Sequence, residues 1–269
     1  MIDSHCHFDF DAFDGQRDKV LLQCAELGVD GLVVPGVEPS QWDRSAELIA
    51  KQKSACQLYA AFGMHPWWLS SLTLTQHQFT SKLDTILTQK NAIAIGECGL
   101  DGSIETDVER QQAVFEWQLQ LACDRKLPLI IHAHRAHNDV IRLLSRYRPQ
   151  AGGVIHGFSG SEVLAQQYWR LGFYLGVGGT ITYPRANKTR MAITQLPLEA
   201  LVLETDAPDM PLHGAQGQPN SPIRLPQIAG ELARLRELPV EVVMSQTASN
   251  TRKLFSLDVD PTKVTDPTF

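Results

Sequence analysis

The sequence contains no apolar run long enough to cross a bilayer, and its first residues, MIDSHCHF, lack the basic and apolar segments of a secretory leader. Positive charge is also scarce, because 24 Lys and Arg residues are outnumbered by 30 Asp and Glu residues and leave a net charge of -6. Such an acidic chain is poorly suited to coat nucleic acid along its length, since that binding needs a basic surface that releases counterions. We therefore expect a cytoplasmic protein without a membrane contact, which handles any polyanion locally.

Cysteine is scarce as well, with five residues that are odd in number, scattered and without a C-x-x-C pair. This pattern disfavours a zinc site built from paired thiolates and a dithiol redox motif. Cys6 and Cys98 each adjoin a candidate metal ligand, but a small buried hydrophobic side chain is the favoured interpretation of both. We expect all five thiols to be reduced.

The dinucleotide-binding motif G-x-G-x-x-G is absent after the first apolar run, which disfavours a doubly wound open sheet. Instead, short β-rich runs alternate with longer amphipathic stretches, a rhythm that predicts parallel strands joined by helical crossovers. Eight such units predict an α/β fold of the TIM-like (β/α)8 barrel type, with one domain over residues 1–257 and a polar tail over 258–269. The predicted strands are 1–3, 31–35, 57–62, 92–96, 129–132, 153–156, 173–177 and 201–204, and the clearest predicted helices are 18–27, 107–125, 138–147, 162–171 and 225–235.

Two histidines, His5 and His7, follow the first predicted strand with one residue between them. The chemistry of such barrels gathers at the carboxyl ends of the strands, and a period of two points both side chains to the same face. Two neighbouring imidazoles are costly to bury without a shared purpose. We therefore favour a shared metal ion over a pair of hydrogen-bonded core residues.

A carboxylate follows the fourth apolar run, in AIAIGECGLD. Buried next to a hydrophobic strand, Glu97 would destabilise the fold unless it met a cation. It is a candidate bridging metal ligand, and the less favoured alternative is a salt bridge to Arg or Lys at the barrel mouth. Asp101 lies two residues after Gly99 and is interpreted as a residue that turns the loop.

Strands five and six each end in a histidine, His132 and His156. A single histidine at a strand end is more often a packed, hydrogen-bonded imidazole than a ligand. Two of them on adjacent strands, facing the first pair, favour metal ligation. His134 shares the face of His132 but lies further out, and His137 is expected to begin the next helix, so neither is expected to bind metal.

The eighth run, ALVLETDAPDM, carries two carboxylates that share a face by alternation. Asp206, at the strand end, is assigned to metal binding and to proton transfer. Glu204 is assigned a deeper supporting position. The alternative for Asp206 is a helix N-cap, which Pro208 would crowd.

Together these segments resemble the TatD family of metal-dependent hydrolases and deoxyribonucleases, and within it the YjjV-like branch. The resemblance spans nearly the whole chain, and the full set of motifs is far more specific than H-x-H alone. The family implies a barrel of the metal-dependent hydrolase, amidohydrolase-like type. The matching segments are DSHCHFD, GMHPWW, GECGLD, QLACDRKLPLIIHAHRA, HGFSGS, LETDAP and SNTRKLF.

The resemblance also implies two divalent metal cations per subunit, such as Zn, Mn or Mg. His65, in GMHPWW, corresponds to a contact for the substrate phosphate; a neutral polar loop residue is the alternative. Asp206 and Glu97 would be the catalytic residues. The implied ligands are His5, His7 and Asp206 for one ion, His132 and His156 for the other, and Glu97 as the bridge.

The function expected from this resemblance is hydrolysis of phosphodiester bonds by a metal-activated water, as in a 3'-end deoxyribonuclease. Hydrolysis of a small-molecule phosphoester, carboxylic ester or amide is the alternative, and the intact ligand set counts against a barrel that only binds. Where the family has H-x-R-x-A after strand five, His134 replaces the arginine, and residues 211–223 contain no Lys or Arg. These departures favour nucleic-acid ends or small phosphoesters over long duplexes. Stacking on an unpaired base is one role for Trp67 or Trp68, and packing under the loop is the alternative.

Overall fold

The computed structural model describes residues 1–257, and the tail expected over 258–269 lies outside the described residues. Within the described part, eight parallel strands pair in chain order. The fold class predicted from the sequence is confirmed. The strands are β1 (Ile2–Asp3), β2 (Gly31–Gly36), β3 (Gln57–Phe62), β4 (Ala94–Asp101), β5 (Leu129–His134), β6 (Gly153–Ile155), β7 (Phe173–Val177) and β8 (Leu201–Leu203).

Helices follow the strands and cover the outside of the barrel. Their sequences explain this position: in the fifth helix, for example, Val140, Leu143 and Leu144 recur at helical spacing and are buried. The third helix begins at a capping box in which Thr75 and Gln78 satisfy each other's backbone N–H groups. The helices of residues 1–257 are α1 (Arg17–Glu26), α2 (Trp42–Lys51), α3 (Gln76–Gln89), α4 (Val108–Arg125), α5 (His137–Tyr147), α6 (Glu162–Arg170), α7 (Asn187–Gln195), α8 (Leu225–Arg236) and α9 (Val240–Phe255).

Backbone hydrogen bonds between the segments that follow β1 and β8 bring the first and last strands together. Ser4 N donates to the Leu203 carbonyl at 2.9 Å, and His7 N donates to the Ala207 carbonyl at 2.8 Å. Between these two bonds, Asp206 N donates to the His5 carbonyl at 2.9 Å. The segment carrying the first two histidines is thereby fixed beside the segment carrying Asp206.

A small apolar cluster fills the lower barrel interior. It joins side chains from six strands to two residues of α9, Leu254 and Phe255, which close the amino-terminal end. The opposite, carboxyl end is left to polar groups, as is usual for this architecture. The strand residues of the cluster are Val33, Ala61, Ala94, Ile130, Val154 and Val202, all of them fully buried.

The fourth strand differs most from the sequence-based prediction, which ended it at residue 96. It runs to Asp101, so that Glu97 lies within the strand and not beyond it. The pairing with β5 shifts register between Ile95 and Cys98, a bulge that lets the strand continue. Gly99 makes the close approach possible: it has a φ of +137°, and a Cβ there would lie 2.0 Å from the His132 carbonyl oxygen.

Smaller differences concern strand ends. β5 extends to His134, two residues further than predicted, whereas β6 and β8 each stop one residue short, at Ile155 and Leu203. His156 and Asp206 therefore project from the first turns after their strands. Backbone hydrogen bonds to the neighbouring segments hold both residues, from His156 N to the Ile131 carbonyl at 3.0 Å and from Asp206 N to the His5 carbonyl at 2.9 Å.

Replacing Gly99 by alanine should destabilise the protein, because the new methyl group meets backbone and the positive φ disfavours a side chain. We expect a loss of roughly 2 kcal/mol or more in the free energy of unfolding. Gly230→Ala is the matched control, since it lies within α8 with nothing within 4 Å of the added carbon. The control should gain about 1 kcal/mol from helix propensity. Urea denaturation measures both, and an equally stable Gly99→Ala variant would contradict the tight approach of β4 and β5.

Candidate metal centre

Five imidazoles surround one buried carboxylate at the carboxyl end of the barrel. The side chain of Glu97 is 2% exposed, and its two oxygens face different histidines. Oε2 lies 3.2 Å from His5 Nε2 and 3.3 Å from His7 Nε2. Oε1 lies 2.7 Å from His156 Nε2, 3.2 Å from His132 Nδ1 and 3.2 Å from His65 Nε2. The carboxylate thus divides the histidines into two groups.

Asp206 joins the group at Oε2. It follows β8 with a positive φ of 56°, and its Oδ1 lies 3.5 Å from His5 Nε2 and 3.7 Å from His7 Nε2. Its side chain is 15% exposed and opens to the barrel mouth, whereas that of His5 is fully buried. The structure therefore brings together every residue that the sequence nominated for metal binding.

The spacing of the ring nitrogens fits a shared cation. His5 Nε2 and His7 Nε2 are 3.2 Å apart, and so are His132 Nδ1 and His156 Nε2. Nitrogen ligands at about 2.1 Å from a tetrahedral ion lie roughly 3.4 Å from each other. Oxygen and nitrogen atoms from three residue sets converge within 4.8 Å: His5, His7 and Glu97; His5, His156 and Asp206; His65, Glu97 and His132. Residues of these types suit divalent cations.

His65 differs from the other four histidines in its hydrogen bonding. Its Nδ1 accepts a hydrogen bond from the backbone N–H of Trp67 at 3.1 Å, which assigns the ring proton to Nε2. Burial lowers its pKa to about 4, so the ring is neutral at pH 7. A neutral imidazole whose Nε2–H points into the centre offers a hydrogen-bond donor there.

Asp101 has a role that the sequence analysis missed. It does turn the loop, since its Oδ1 accepts hydrogen bonds from Ser103 N at 2.8 Å and Ser103 Oγ at 2.6 Å. Its Oδ2, however, accepts from Trp67 Nε1 at 2.7 Å and lies 3.0 Å from His132 Nε2. This carboxylate leaves Nδ1 of His132 to face Glu97. A strand period of two places Asp101 on the same face as Glu97, and that was the available signal.

The electrostatics among the side chains of the centre are dominated by Glu97. Burial alone would raise its pKa, but the surrounding imidazoles, with the protonated ring of His156 first among them, outweigh burial and hold the pKa well below its usual value. Burial by itself would lower the pKa of His156, but the attraction of Glu97 outweighs burial and raises this pKa to about 10. The side chains alone therefore favour a proton on His156.

Two further carboxylates lie beneath the centre. Burial raises the pKa of Glu204 to about 8, and its oxygens face Gly157 N and Ser4 Oγ. Asp3, which the sequence analysis did not single out, accepts hydrogen bonds from Thr205 N at 2.9 Å and Thr205 Oγ1 at 2.6 Å. Asp3 thereby ties the end of β1 to the segment that precedes Asp206.

The other residues considered in the sequence analysis lie outside the cluster around Glu97. His134 is exposed at the end of β5, and His137 begins α5 as predicted, with Nδ1 2.9 Å from the hydroxyl of Tyr168. Cys6 and Cys98 are buried free thiols whose Sγ atoms lie 3.7 Å and 3.6 Å from backbone carbonyls. The interpretation of both cysteines as buried small side chains is confirmed.

A (β/α)8 barrel with a histidine and carboxylate centre at its strand ends belongs to the metal-dependent hydrolase class. Comparison with known proteins identifies the family within that class. The family model described as TatD related DNase matches residues 2–256, and the chain belongs to this family. Within residues 1–257, no helix combines the length and the apolar character needed to cross a membrane.

Three relatives illustrate the range of similarity. The uncharacterized metal-dependent hydrolase YjjV of Escherichia coli is 42% identical over 96% of this chain and 98% of its own, and its crystal structure superimposes with a TM-score of 0.89. A 3'-5' ssDNA/RNA exonuclease TatD of Erwinia tasmaniensis is 30% identical over 96% of this chain and 100% of its own. A lactonase from Listeria monocytogenes is 14% identical over 94% of each chain, with a TM-score of 0.68, and shares the fold. The predicted family and its YjjV-like character are confirmed.

The buried carboxylate of Glu204 gives the metal-free protein a testable pH dependence. In the folded state its pKa of about 8 exceeds the ordinary value of 4.5. Between these two pH values the folded state therefore binds a proton on Glu204 that the unfolded state has lost. The stability contributed by that proton is lost as pH rises through the window. Glu204→Gln should therefore gain stability relative to the parent protein from pH 5 to 8, by up to about 1.4 kcal/mol per pH unit.

Urea denaturation in the presence of a chelator measures this difference at each pH. Glu162→Gln, at the start of α6, is the control and should show no such trend. A constant difference between Glu204→Gln and the parent from pH 5 to 8 would contradict a protonated Glu204.

Proposed function

We propose that this protein is a metal-dependent phosphodiesterase that hydrolyses nucleic-acid ends, with 3'-end deoxyribonuclease activity of the TatD type. The observation that carries the proposal is the division of five imidazoles between the two oxygens of Glu97. A carboxylate in that position suits two cations, and paired cations suit an in-line displacement at phosphorus. The relatives named as 3'-5' ssDNA/RNA exonucleases support the same substrate class.

The proposed ligands follow the two sides of Glu97. His5, His7 and Asp206 would hold one divalent cation, His132 and His156 would hold the other, and Glu97 would be the ligand shared by both. His65 is left out because its Nε2 carries the proton assigned by the Trp67 hydrogen bond. Mixed imidazole and carboxylate donors suit Zn or Mn, whereas Mg would retain more of its water.

Bound divalent cations supply Lewis acidity, which lowers the pKa of water and neutralises charge on the scissile phosphate. The residues of the chain do the remaining work. Asp206, whose pKa is raised by burial, lies at the open side and accepts the proton of the attacking water, then returns it to the leaving oxygen. His65 donates its Nε2–H to a phosphate oxygen. Glu97 fixes the geometry between the two groups of ligands.

A small-molecule ester, phosphate monoester or amide is the second candidate substrate class. The net charge of -6 favours it, because a net negative charge repels a long polyanion. A panel of chromogenic phosphodiesters, phosphomonoesters and carboxylic esters with the Mn²⁺-loaded protein separates the two. We also propose a cytoplasmic location, since the five cysteines are free thiols, as a reducing compartment maintains them.

Trp67→Phe should weaken metal binding although Trp67 touches no metal ligand through its indole nitrogen. The substitution keeps the ring but removes the N–H donor to Asp101, which orients His132. Loss of a partner that orients a metal-binding histidine typically costs about 10- to 100-fold in affinity. Calorimetric titration of the chelator-stripped protein with Mn²⁺ measures the effect. Trp169→Phe on α6 is the control, and equal affinities in both variants would contradict the role of Trp67.

Asp206→Asn tests the proposed reaction directly. The amide keeps the shape of the carboxylate but cannot take the proton of water, so hydrolysis of bis-p-nitrophenyl phosphate should fall roughly 100-fold or more. The thermal midpoint of the chelator-treated variant should stay near that of the parent or rise. Asp206 is partly exposed, and its charge is repelled by the carboxylates of Glu97 and Asp209. Asp209→Asn, exposed in the same loop, is the matched control. Full turnover in Asp206→Asn would contradict the proposal. A parent protein that hydrolyses carboxylic esters but no phosphodiesters would contradict it as well.

A further inference from the structure

A groove of about 530 Å³ lies beside the metal centre, where the segment after His7 meets the loop between β2 and α2. This volume falls in the range of roughly 300–1,000 Å³ that holds small-molecule ligands. Its apolar walls are Phe10, Val37 and Trp68. The proposed mechanism assigns no role to this groove.

Two aromatic rings connect the groove to the centre. Phe10 stacks on His7, with ring centroids 4.6 Å apart and planes 19° apart. Trp68 packs edgewise on His65, with centroids 5.3 Å apart and planes at 76°. A group held between Phe10 and Trp68 therefore lies next to both a proposed metal ligand and the proposed phosphate contact.

The same two rings form a corner that is open to solvent. Their centroids are 6.5 Å apart, their planes meet at 64°, and both side chains are partly exposed. A planar ring placed in such a corner stacks on one wall and meets the other with its edge. Trp67 does not share this role, because its indole nitrogen is bonded to Asp101 and its side chain lies outside the groove.

The polar lining of the groove is acidic. Three carboxylates, Asp9, Asp11 and Glu38, stand against one guanidinium, Arg44, which pairs with Asp11. Asp9 accepts a hydrogen bond from Gln41, and Glu38 accepts one from Ser71. A phosphate placed here would meet like charge, whereas a neutral planar ring would not.

The other side of the barrel mouth has the opposite character. A second groove, of about 580 Å³, lies between the β5–α5 loop and α6 and is lined by Arg135 and His137. Arg135 forms no ion pair with any residue in the range 1–257, which leaves its charge available to a phosphate. The single acid of this groove, Asp139, is paired with Arg142.

We propose that the corner of Phe10 and Trp68 binds the unpaired terminal base of a nucleic-acid strand by stacking. The phosphates of the rest of the strand then run towards Arg135. The inference rests on the proposed function and adds to it the part of the substrate that is recognised. Stacking reads no sequence, so the groove accepts any base and selects a frayed or single-stranded end over a paired one. Such selection requires no basic surface.

Binding of three product-like probes tests the inference without turnover. Thymidine 5'-monophosphate, 2-deoxyribose 5-phosphate and inorganic phosphate are titrated into the full-length Mn²⁺-loaded protein, and dissociation constants are measured by calorimetry. The nucleotide should bind more tightly than the base-free sugar phosphate. In Trp68→Leu and in Phe10→Leu this preference should fall by roughly 5- to 150-fold, the loss of one base-stacking contact. The base-free probes should bind each variant as they bind the parent.

Trp169→Leu, the same substitution at a partly buried tryptophan of α6, is the control and should keep the preference. No preference for the nucleotide in the parent protein would overturn the inference, and so would a preference that survives both groove variants. Hydrolysis of bis-p-nitrophenyl phosphate by the same preparation is read separately. Its absence would overturn the proposed function, and the ratio of the two dissociation constants would still decide whether a base is bound in the groove.

Discussion

The carboxylate of Glu97, buried among five imidazoles, is the interaction on which the rest of this centre depends. A charge this deeply buried is stable only where other charges compensate it. Among the protein's own groups the compensation comes from protonated histidine, since Glu97 raises the pKa of His156 to about 10. In the proposed centre, cations and protons would compete for the same carboxylate. Loading it would require His156 to lose its proton, which would make metal binding dependent on pH.

The barrel is arranged to hold that carboxylate in place. Glycines in β4 permit the bulge and the close contact with β5 that direct Glu97 inward. Asp3 joins the segments carrying His5 and Asp206, and Asp101 orients His132 from the opposite side. These supporting carboxylates lie on strand ends or in the turns beside them. The centre is therefore positioned by the barrel itself and not by mobile loops.

Much of this arrangement could be predicted from the sequence. Runs of β-branched residues that end in His or in a carboxylate predict the strands and the ligands, because both follow from local periodicity and from the cost of burying polar groups. The predicted end of β4 was wrong, since pairing with β5 extends the strand through two glycines that local pattern treats as a stop. The contact of Trp67 with Asp101 and His132 was missed because it joins three segments that are distant in the chain. His65 was found through resemblance alone, for a histidine in a loop carries no periodic signal.

Metal analysis of Glu97→Gln tests the central role of this residue most directly. The glutamine keeps the shape of the side chain and removes the charge shared by both groups of histidines. Elemental analysis of the purified, Mn²⁺-dialysed protein should show about two ions per chain for the parent. The control variant Glu38→Gln, in the lining of the neighbouring groove, should also keep two ions. Glu97→Gln should lose both ions together. Two ions retained in Glu97→Gln, or the loss of one ion alone, would contradict a centre built around a single bridging carboxylate.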